Sequence, residues 1–179
     1  MENYDFKIFS GEDKNLGKKL RDFCLQIIQE VYGYSYRKDW HNDIDTLFKS
    51  EGGMYAQKER GCFFYIEKDG TIIACGGLRN IQTKLGYTER FTSRYSDINT
   101  IGSIWRFYIV KDERGKSLGK KLYQRVEEEA EKFGYTHLYL HCSDAHIKVK
   151  DFWEQQGFQI FEKDYEQDGI HTLHMDKNL

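Results

Sequence analysis

Hydrophobic residues recur along the chain at two spacings, and these spacings predict alternating strands and helices. Apolar and polar residues alternate from Tyr4 to Ile8, as they do in a strand with one buried face. From Leu16 to Tyr32 the apolar residues recur every three or four positions, the period of an amphipathic helix, and Gly33 suits its end. A short second helix is predicted from Asn42 to Lys49, with Asn42 as its N-cap.

The remainder of the chain predicts six further strands and two further helices, with a polar segment from Asn80 to Thr100 that is a long loop or a ragged strand end. The strands are Phe63–Glu67, Thr71–Leu78, Ile104–Val110, Thr136–Cys142, Phe158–Phe161 and Ile170–Met175, and the helices are Leu118–Phe133 and Ala145–Gln156. Asp69-Gly70 and Asp168-Gly169 are turn dipeptides within two hairpins. The order β-α-α-β-β-β-α-β-α-β-β predicts an α/β fold: one domain over residues 1–179, with a mixed sheet and helices on both of its faces.

Composition narrows the class of protein. Of the 179 residues, 39% are hydrophobic and 16% aromatic, so the chain can bury a core, and its net charge of −2 with no basic block argues against a nucleic-acid partner. No apolar run approaches the ~20 residues that cross a bilayer. The N-terminal segment lacks the pattern of a secretory signal. The four scattered cysteines show no CxxC spacing, which favours buried thiols in a reducing cytoplasm.

A strand, a charged glycine turn and a helix follow one another around Gly115 and Gly119. The first amides of a helix have no partner within the helix, and the macrodipole adds positive charge there, so anions bind at this end. Glycine lets the backbone approach a bulky phosphate. Four cations surround the turn: Arg114, Lys116, Lys120 and Lys121. We therefore predict a seat for the diphosphate of a coenzyme.

Other interpretations of this turn are less favourable. A P-loop needs four residues between its glycines and a Ser or Thr after the lysine, whereas three residues separate Gly115 from Gly119 and Lys121 follows Lys120. The dinucleotide fingerprint GxGxxG is absent. A merely solvated turn would leave several cations opposing the helix macrodipole without an anion to offset them.

The segment "RFYIVKDERGKSLGKKLYQRVEEEAEKFGY" resembles the coenzyme A signature of the GNAT superfamily of acyl-CoA N-acyltransferases, [Arg/Gln]-x-x-Gly-x-[Gly/Ala]. The hairpin "YIEKDGTIIACGGL" and the passage "DFWEQQGFQIFEKD" extend the resemblance over nearly the whole chain. One departure is Ser117, where family members usually have glycine. The resemblance implies a mostly antiparallel sheet and acetyl-CoA as co-substrate, with no metal. It also implies coenzyme contacts from Phe107, Tyr108, Ile109, Arg114, Gly115, Lys116, Ser117, Leu118, Gly119 and Lys120.

The resemblance further implies how the reaction is arranged. The pantetheine arm would follow Phe107, Tyr108 and Ile109 along a strand that carries a bulge, and a main-chain donor freed by the bulge would bond the thioester carbonyl. An amine would then attack acetyl-CoA directly, giving an acetylated primary amine of a small molecule or peptide.

The usual proton-transfer residues of the family are replaced in this chain. Ser103 stands where many relatives have a glutamate, and Trp153 stands where many have a tyrosine acid. His146, at the start of a predicted helix, is the first candidate for proton transfer and His141 the second, with Asp97 and Asp144 in reserve. Each histidine equally suits a structural role. The spacing of His137, His141 and His146 fits no common zinc pattern.

The acceptor and the activity leave alternatives open. The segment from Tyr32 to Tyr55 combines aromatic residues with carboxylates, which would suit a cationic amine or would equally form a small satellite core with helix caps. The leading hypothesis is an N-acetyltransferase. The rival is a non-catalytic acyl-CoA-binding sensor or regulatory module, and nucleotide hydrolysis is weaker. A monomer and a homodimer are both compatible with the sequence.

Overall fold

The computed structural model of the protein describes residues 3–83, 90–165 and 171–179. Strands and helices follow each other in the order that the hydrophobic pattern predicts. They are β1 (Tyr4–Phe9), α1 (Lys14–Tyr32), α2 (Lys38–His41), β2 (Cys62–Lys68), β3 (Thr71–Asn80), β4 (Ile101–Ile109), α3 (Leu118–Lys132), β5 (His137–Ser143), α4 (Ile147–Gln155), β6 (Gln159–Tyr165) and β7 (His171–Asn178). The seven strands form one sheet in the order β1-β2-β3-β4-β5-β7-β6, mostly antiparallel, with a parallel pair at β4 and β5. The predicted mixed α/β fold is confirmed.

The second helix differs from its prediction in position and length. It is a single turn, Lys38–His41, and Asn42 lies at its C-terminal end rather than at an N-cap. A 3₁₀ turn at Ile44–Thr46 follows, and there the Thr46 hydroxyl donates to the Asp43 carbonyl at 2.6 Å and accepts the Met54 amide at 3.1 Å. These side-chain bonds compete with a continuous helix, which is how threonine often acts. The predicted turn at Asp168-Gly169 lies outside the described residues.

The ends of α1 show why this segment forms a helix. The Asp13 side chain accepts the amides of Asn15 and Leu16 at 2.9 and 3.0 Å, satisfying two of the first unpaired donors. At the other end Gly33 adopts φ +69° and its amide bonds the Gln29 carbonyl at 3.0 Å. The helix is therefore defined by local chemistry at both ends.

The chain divides into two compact units, and the first comprises Met1–Arg79 with Trp105–Glu129. In this unit α1 buries Leu20, Cys24 and Ile27 against side chains of β2 and β3 that include Tyr65 and Cys75. The neighbouring residue Gly76 faces the other way, because a Cβ there would lie 2.8 Å from the Phe107 ring and 3.5 Å from Leu122 of α3. Successive strand residues face opposite sides of a sheet, so α1 and α3 cover opposite faces.

The second unit comprises Asn80–Ile104 with Ala130–Leu179. Its core is largely aromatic, with Phe91 5.4 Å from both Tyr139 and Phe161, measured between ring centroids. Strands β5, β7 and β6 pair antiparallel in this unit. Within the described ranges, the chain has no helix that is long and apolar enough to cross a membrane.

Candidate active site

Strand β4 carries a bulge at Arg106. Its backbone φ is +52°, in the left-handed region that non-glycine residues rarely adopt inside a strand. Trp105, Tyr108 and Val110 all pack against the core under α1, whereas Phe107 lies against Gly76 on the opposite face. Trp105 and Tyr108 are three residues apart and still share a face, so one extra residue interrupts the two-residue alternation, as a β-bulge does.

The turn after β4 leads directly into α3. A 3₁₀ turn at Lys111–Glu113 follows the strand, and then Gly115 adopts φ +78° and Ser117 φ +62°. The Lys121 amide bonds the Ser117 carbonyl at 3.2 Å, so α3 starts immediately after Ser117. Helix geometry then directs the amides of Leu118, Gly119 and Lys120 out of the helix end.

The space and charge at this helix end fit a diphosphate. A Cβ added at Gly115 would meet no atom within 4 Å, so the turn is open on that side. The first turn of α3 contains no acidic residue, and Lys120 and Lys121 are exposed. The Leu118 side chain is 1% exposed and belongs to the core. Leu118 can therefore contact an anion only through its backbone amide.

Two cations of the turn have partners within the protein. Arg114 Nε donates to the Ile109 carbonyl at 2.9 Å, which closes the turn onto the end of β4. Lys116 Nζ bonds Glu113 at 2.9 Å, and the same carboxylate also bonds Lys68 Nζ and the Tyr4 hydroxyl, both at 2.8 Å. These bonds, with Lys68 first, lower the pKa of Glu113 to about 2. The ammonium of Lys116 therefore stabilises the turn. The backbone amide of Lys116 is the group of this residue that can bind an anion.

The proposed proton-transfer histidines lie in the second unit. His146 is the residue before α4, and its carbonyl accepts the Val149 amide at 2.8 Å and the Lys150 amide at 3.2 Å. His141 is half-buried on β5, with its ring centroid 6.3 Å from that of Tyr139 and 6.3 Å from that of His174. Trp153 is 5% exposed and packs between Phe152 and Phe158. Trp153 is thus a core residue.

Two histidine–carboxylate pairs in the second unit were not predicted from the sequence. His174 is fully buried, with Nδ1 2.7 Å from the Tyr139 hydroxyl and Nε2 3.0 Å from Asp164, and burial lowers its pKa. His171 Nδ1 lies 2.5 Å from Asp144, whose pKa is lowered by its bonds to the amide and ring of His171. Asp164 and His174 are ten residues apart and Asp144 and His171 are 27 apart, so both pairs form only when strands come together, and no local spacing indicates them.

The carboxylates predicted to attract a cationic amine are already paired with arginines. Asp39 bonds Arg37 at 2.8 Å, and Asp45 bonds Arg21 at 2.7 Å. The aromatic rings beside them carry the same cations, with Arg37 3.8 Å above the Trp40 ring and Arg21 5.1 Å from that of Tyr36. The exposed rings of Tyr36 and Trp40 therefore form an arginine-stacked surface rather than an open anionic cage, and the exposed Tyr34 ring lies edge-on to Trp40.

A buried charge network lies beneath this surface. Asp43 is 2% exposed and accepts Arg106 Nε at 2.9 Å, Arg106 Nη2 at 2.6 Å and the Tyr55 hydroxyl at 2.6 Å. Burial opposes the charge of Asp43, but Arg106, Arg79 and Tyr55 together lower the pKa of Asp43 to about 2. The guanidinium of Arg79 lies 4.0 Å from the Trp105 ring. Asp43 is therefore held as a carboxylate in the interior.

Comparison with known proteins identifies the class. The family model described as the acetyltransferase (GNAT) family matches residues 14–158, and the chain belongs to this family. It is an acyltransferase that uses acetyl-CoA as co-substrate. Among the residues that the structure describes, no cluster of three or more His, Cys, Asp or Glu is arranged to hold a metal ion.

Individual relatives agree with this assignment. An "IAA acetyltransferase" of Azospirillum brasilense is 25% identical over 144 residues, covering 78% of each chain. A GNAT-family acetyltransferase of Staphylococcus aureus Mu50 superposes with a TM-score of 0.74 over 99% of each chain at 15% identity. The protein yncA of Salmonella typhimurium, solved with its cofactor acetyl-CoA, superposes with a TM-score of 0.70 at 13% identity over 99% of this chain and 94% of its own. The two structural matches show the shared fold.

Proposed function

We propose that residues 1–179 act as one N-acetyltransferase domain, which transfers the acetyl group of acetyl-CoA to a primary amine of a small molecule or peptide by direct attack. The observation that carries the proposal is the open, left-handed turn between Gly115 and Ser117. It joins a bulged strand to the N-terminus of α3, where main-chain donors and the macrodipole favour an anion.

The coenzyme residues divide into three groups by role. Phe107, Tyr108 and Ile109 offer main-chain groups to the pantetheine arm along β4. Main-chain amides from Gly115 to Lys120 bind the diphosphate, and the exposed ammonium of Lys120 adds charge. Arg114 holds the turn against Ile109. Acetyl-CoA supplies the activated acyl group, and the protein orients it.

Proton transfer is assigned first to His146 and second to His141. A primary amine with a pKa of roughly 8 to 10 is mostly protonated at neutral pH, so it must lose a proton before it attacks. Ser103 is fully buried and Trp153 lies in the core, so neither replaces the glutamate and tyrosine that relatives carry. A half-buried imidazole at a helix start suits the role of base, directly or through water.

The acceptor surface is assigned to the segment between α1 and β2. Its carboxylates are paired with arginines and Arg37 lies on the ring of Trp40, so we propose that recognition of the amine depends on the exposed ring of Tyr34 rather than on free acids. The four free thiols agree with a cytoplasmic enzyme.

A non-catalytic acyl-CoA sensor is the second candidate. The observation that favours it is the burial of both Ser103 and Trp153, which leaves neither of the family's usual positions with a proton donor or base at the surface. A sensor would bind acetyl-CoA and release no thiol with any amine.

Thiol release from acetyl-CoA, measured with a panel of primary amines, separates the two functions. The enzyme is expected to release coenzyme A with at least one amine, and His146→Ala is expected to lower kcat by about 100-fold while leaving acetyl-CoA affinity unchanged. His141→Ala, measured alongside, ranks the two histidines. Binding of acetyl-CoA without turnover on every amine would favour the sensor.

Calorimetry on two matched charge variants tests the coenzyme seat. Gly119→Glu places a carboxylate among the amides of the α3 N-terminus and is expected to abolish coenzyme A binding. Gln124→Glu adds the same charge to the same helix, about 7.5 Å further along its axis, on an exposed position, and should bind nearly as the wild type does. Equal affinity of the two variants would contradict the seat.

A further inference from the structure

We propose that Arg106 is a positioning residue for catalysis: its ion pair with Asp43 holds the β4 bulge in the conformation that aims a main-chain donor at the thioester carbonyl. This inference rests on the proposed function, because it concerns the strand to which the pantetheine arm is assigned. It adds a role for two side chains that do not touch the coenzyme.

The ion pair fixes the side chain of Arg106 at three points. Nε and Nη2 bond the two oxygens of Asp43 at 2.9 and 2.6 Å, and Nη2 also bonds the Trp40 carbonyl at 2.7 Å. The side chains of Arg106 and Asp43 are 11% and 2% exposed. A two-pronged guanidinium–carboxylate pair fixes orientation as well as distance, which a single contact does not.

The backbone of Arg106 needs such support. A left-handed conformation is strained for a residue with a Cβ, and it persists only where the surroundings enforce it. The Arg106 carbonyl is also held, because the thiol of the fully buried Cys75 donates to it at 3.1 Å. The side chain and the carbonyl of Arg106 are therefore both held by buried partners.

The placement of this strain suggests function rather than stability alone. In the described parts of the chain four non-glycine residues have positive φ: Arg60, Asp69, Arg106 and Ser117. Arg60 and Asp69 end or form turns, where such angles are common. Arg106 directly precedes the segment assigned to the coenzyme, and Ser117 lies within it. Strained backbone that is over-determined by its surroundings is characteristic of functional segments.

The bond from Arg106 to the Trp40 carbonyl links the ion pair to a second part of the proposed site. It connects α2, in the proposed acceptor segment, with the bulge of β4. Loss of the guanidinium fork would release both the bulge and this part of the acceptor surface. We therefore expect variants of Arg106 to lose kcat rather than only affinity for coenzyme A, whose diphosphate contacts lie after the strand.

The second unit contains a matched control of the same chemistry. Arg94 bonds Asp176 through Nε at 2.6 Å and Nη2 at 3.0 Å, and the Tyr95 hydroxyl bonds the same carboxylate at 2.9 Å. Asp176 is 8% exposed. This set repeats the Arg–Asp–Tyr arrangement without a strained backbone at its arginine. The Arg94 side chain is 42% exposed, against 11% for that of Arg106, so disrupting this pair should perturb folding less, and it should leave the thioester unaffected.

Carbon-13 NMR of bound acetyl-CoA, labelled at the acetyl carbonyl, tests the inference without knowledge of the acceptor. A hydrogen bond to the carbonyl moves its resonance downfield. We expect this shift in the wild type, its loss in Arg106→Lys and Asp43→Asn, and its retention in Arg94→Lys. Arg106→Lys keeps the positive charge but cannot bond both oxygens of Asp43 as the guanidinium does. Arg106→Gly relieves the backbone strain but also removes the ion pair with Asp43. The bulge is then flexible, so this variant should also lose the downfield shift of the carbonyl resonance.

The outcomes distinguish this inference from the proposed function. A downfield carbonyl in the wild type that is unchanged in Arg106→Lys and Asp43→Asn would overturn the positioning role and leave the coenzyme seat intact. A wild type that does not bind acetyl-CoA would overturn both. If one variant fails to fold, its melting temperature will show this, and the other variant decides. With any active amine, kcat of Arg106→Lys is expected to fall by about 100-fold while the Kd for coenzyme A stays within about threefold.

Discussion

Two residues in or next to the proposed coenzyme segment adopt backbone angles that glycine would adopt more easily. Ser117 has φ +62° and Arg106 φ +52°. The sequence alone located Ser117 at a position where relatives usually carry glycine, but it could not reveal that the serine keeps the left-handed geometry. The structure shows that the turn is retained in spite of the cost of a Cβ. The left-handed turn is thus compatible with serine at this position.

Replacement of Ser117 by glycine should stabilise the protein. Glycine adopts φ +62° without the Cβ conflict, so the free energy of unfolding is expected to rise by about 0.5–1 kcal/mol, as measured by urea denaturation. Ser117→Ala keeps the Cβ and removes only the hydroxyl, so it serves as the control and should give no gain. A loss of stability in Ser117→Gly would mean that the serine hydroxyl matters more than the backbone angle.

At the scale of elements, periodicity predicted most of the fold and missed what long-range contacts decide. Asp13, Gly33 and the apolar stripe of α1 are local signals, and the helix lies where they place it. The bulge of β4 left no such signal, because "SIWRFYIV" is almost continuously apolar and an interrupted alternation is invisible in it. The single turn of α2 is followed by the side-chain bonds of Thr46, and the adjacent Asp43 is buried against Arg106, a partner 63 residues away, which periodicity does not report.

Contact between β3 and β4 makes Gly76 sensitive to substitution. A Cβ at this position would lie 2.8 Å from the Phe107 ring, so Gly76→Ala must displace Phe107 of β4. We expect a loss of stability of about 1–3 kcal/mol in urea denaturation, together with weaker coenzyme A binding in calorimetry. Unchanged stability and unchanged coenzyme A affinity would show that Phe107 can move without cost, and would contradict a rigid β4.

The Glu113 carboxylate joins β1, the end of β2 and the glycine turn, and it should make stability depend on pH. Its pKa is lowered from an ordinary value of 4.5 to about 2, so the folded state binds this proton less readily than the unfolded state. The stabilisation is present above pH 4.5 and is lost as the pH falls from there toward 2. Denaturation between pH 6 and 3 should therefore show a shallower decline for Glu113→Gln than for the wild type. Parallel curves would contradict the assignment.

At the scale of the whole molecule, the sequence predicted the class of enzyme better than its catalytic groups. The fold and the acetyl-CoA dependence follow from motifs that lie close together in the chain. The proton-transfer residues do not follow from such motifs, because a catalytic histidine and a structural one look alike in sequence. His174 illustrates this, since its bonds to Tyr139 and Asp164 arise only when β5, β6 and β7 pair.

Acetyl transfer, rather than ligand sensing, is the prediction for the whole molecule. With an accepted amine, the enzyme should transfer acetyl groups with one coenzyme A released per acetylated amine, as measured by thiol titration alongside mass spectrometry of the product. Release of thiol without acetylated product would indicate hydrolysis of acetyl-CoA, and would contradict direct attack by the amine.

Amide NMR of the ¹⁵N-labelled protein, titrated with coenzyme A, decides whether main-chain amides at the start of α3 bind the coenzyme diphosphate. We expect the largest chemical-shift changes at Gly115, Ser117, Gly119 and Lys120, with a smaller change at Ile109. Saturable changes elsewhere, with those amides unmoved, would contradict it.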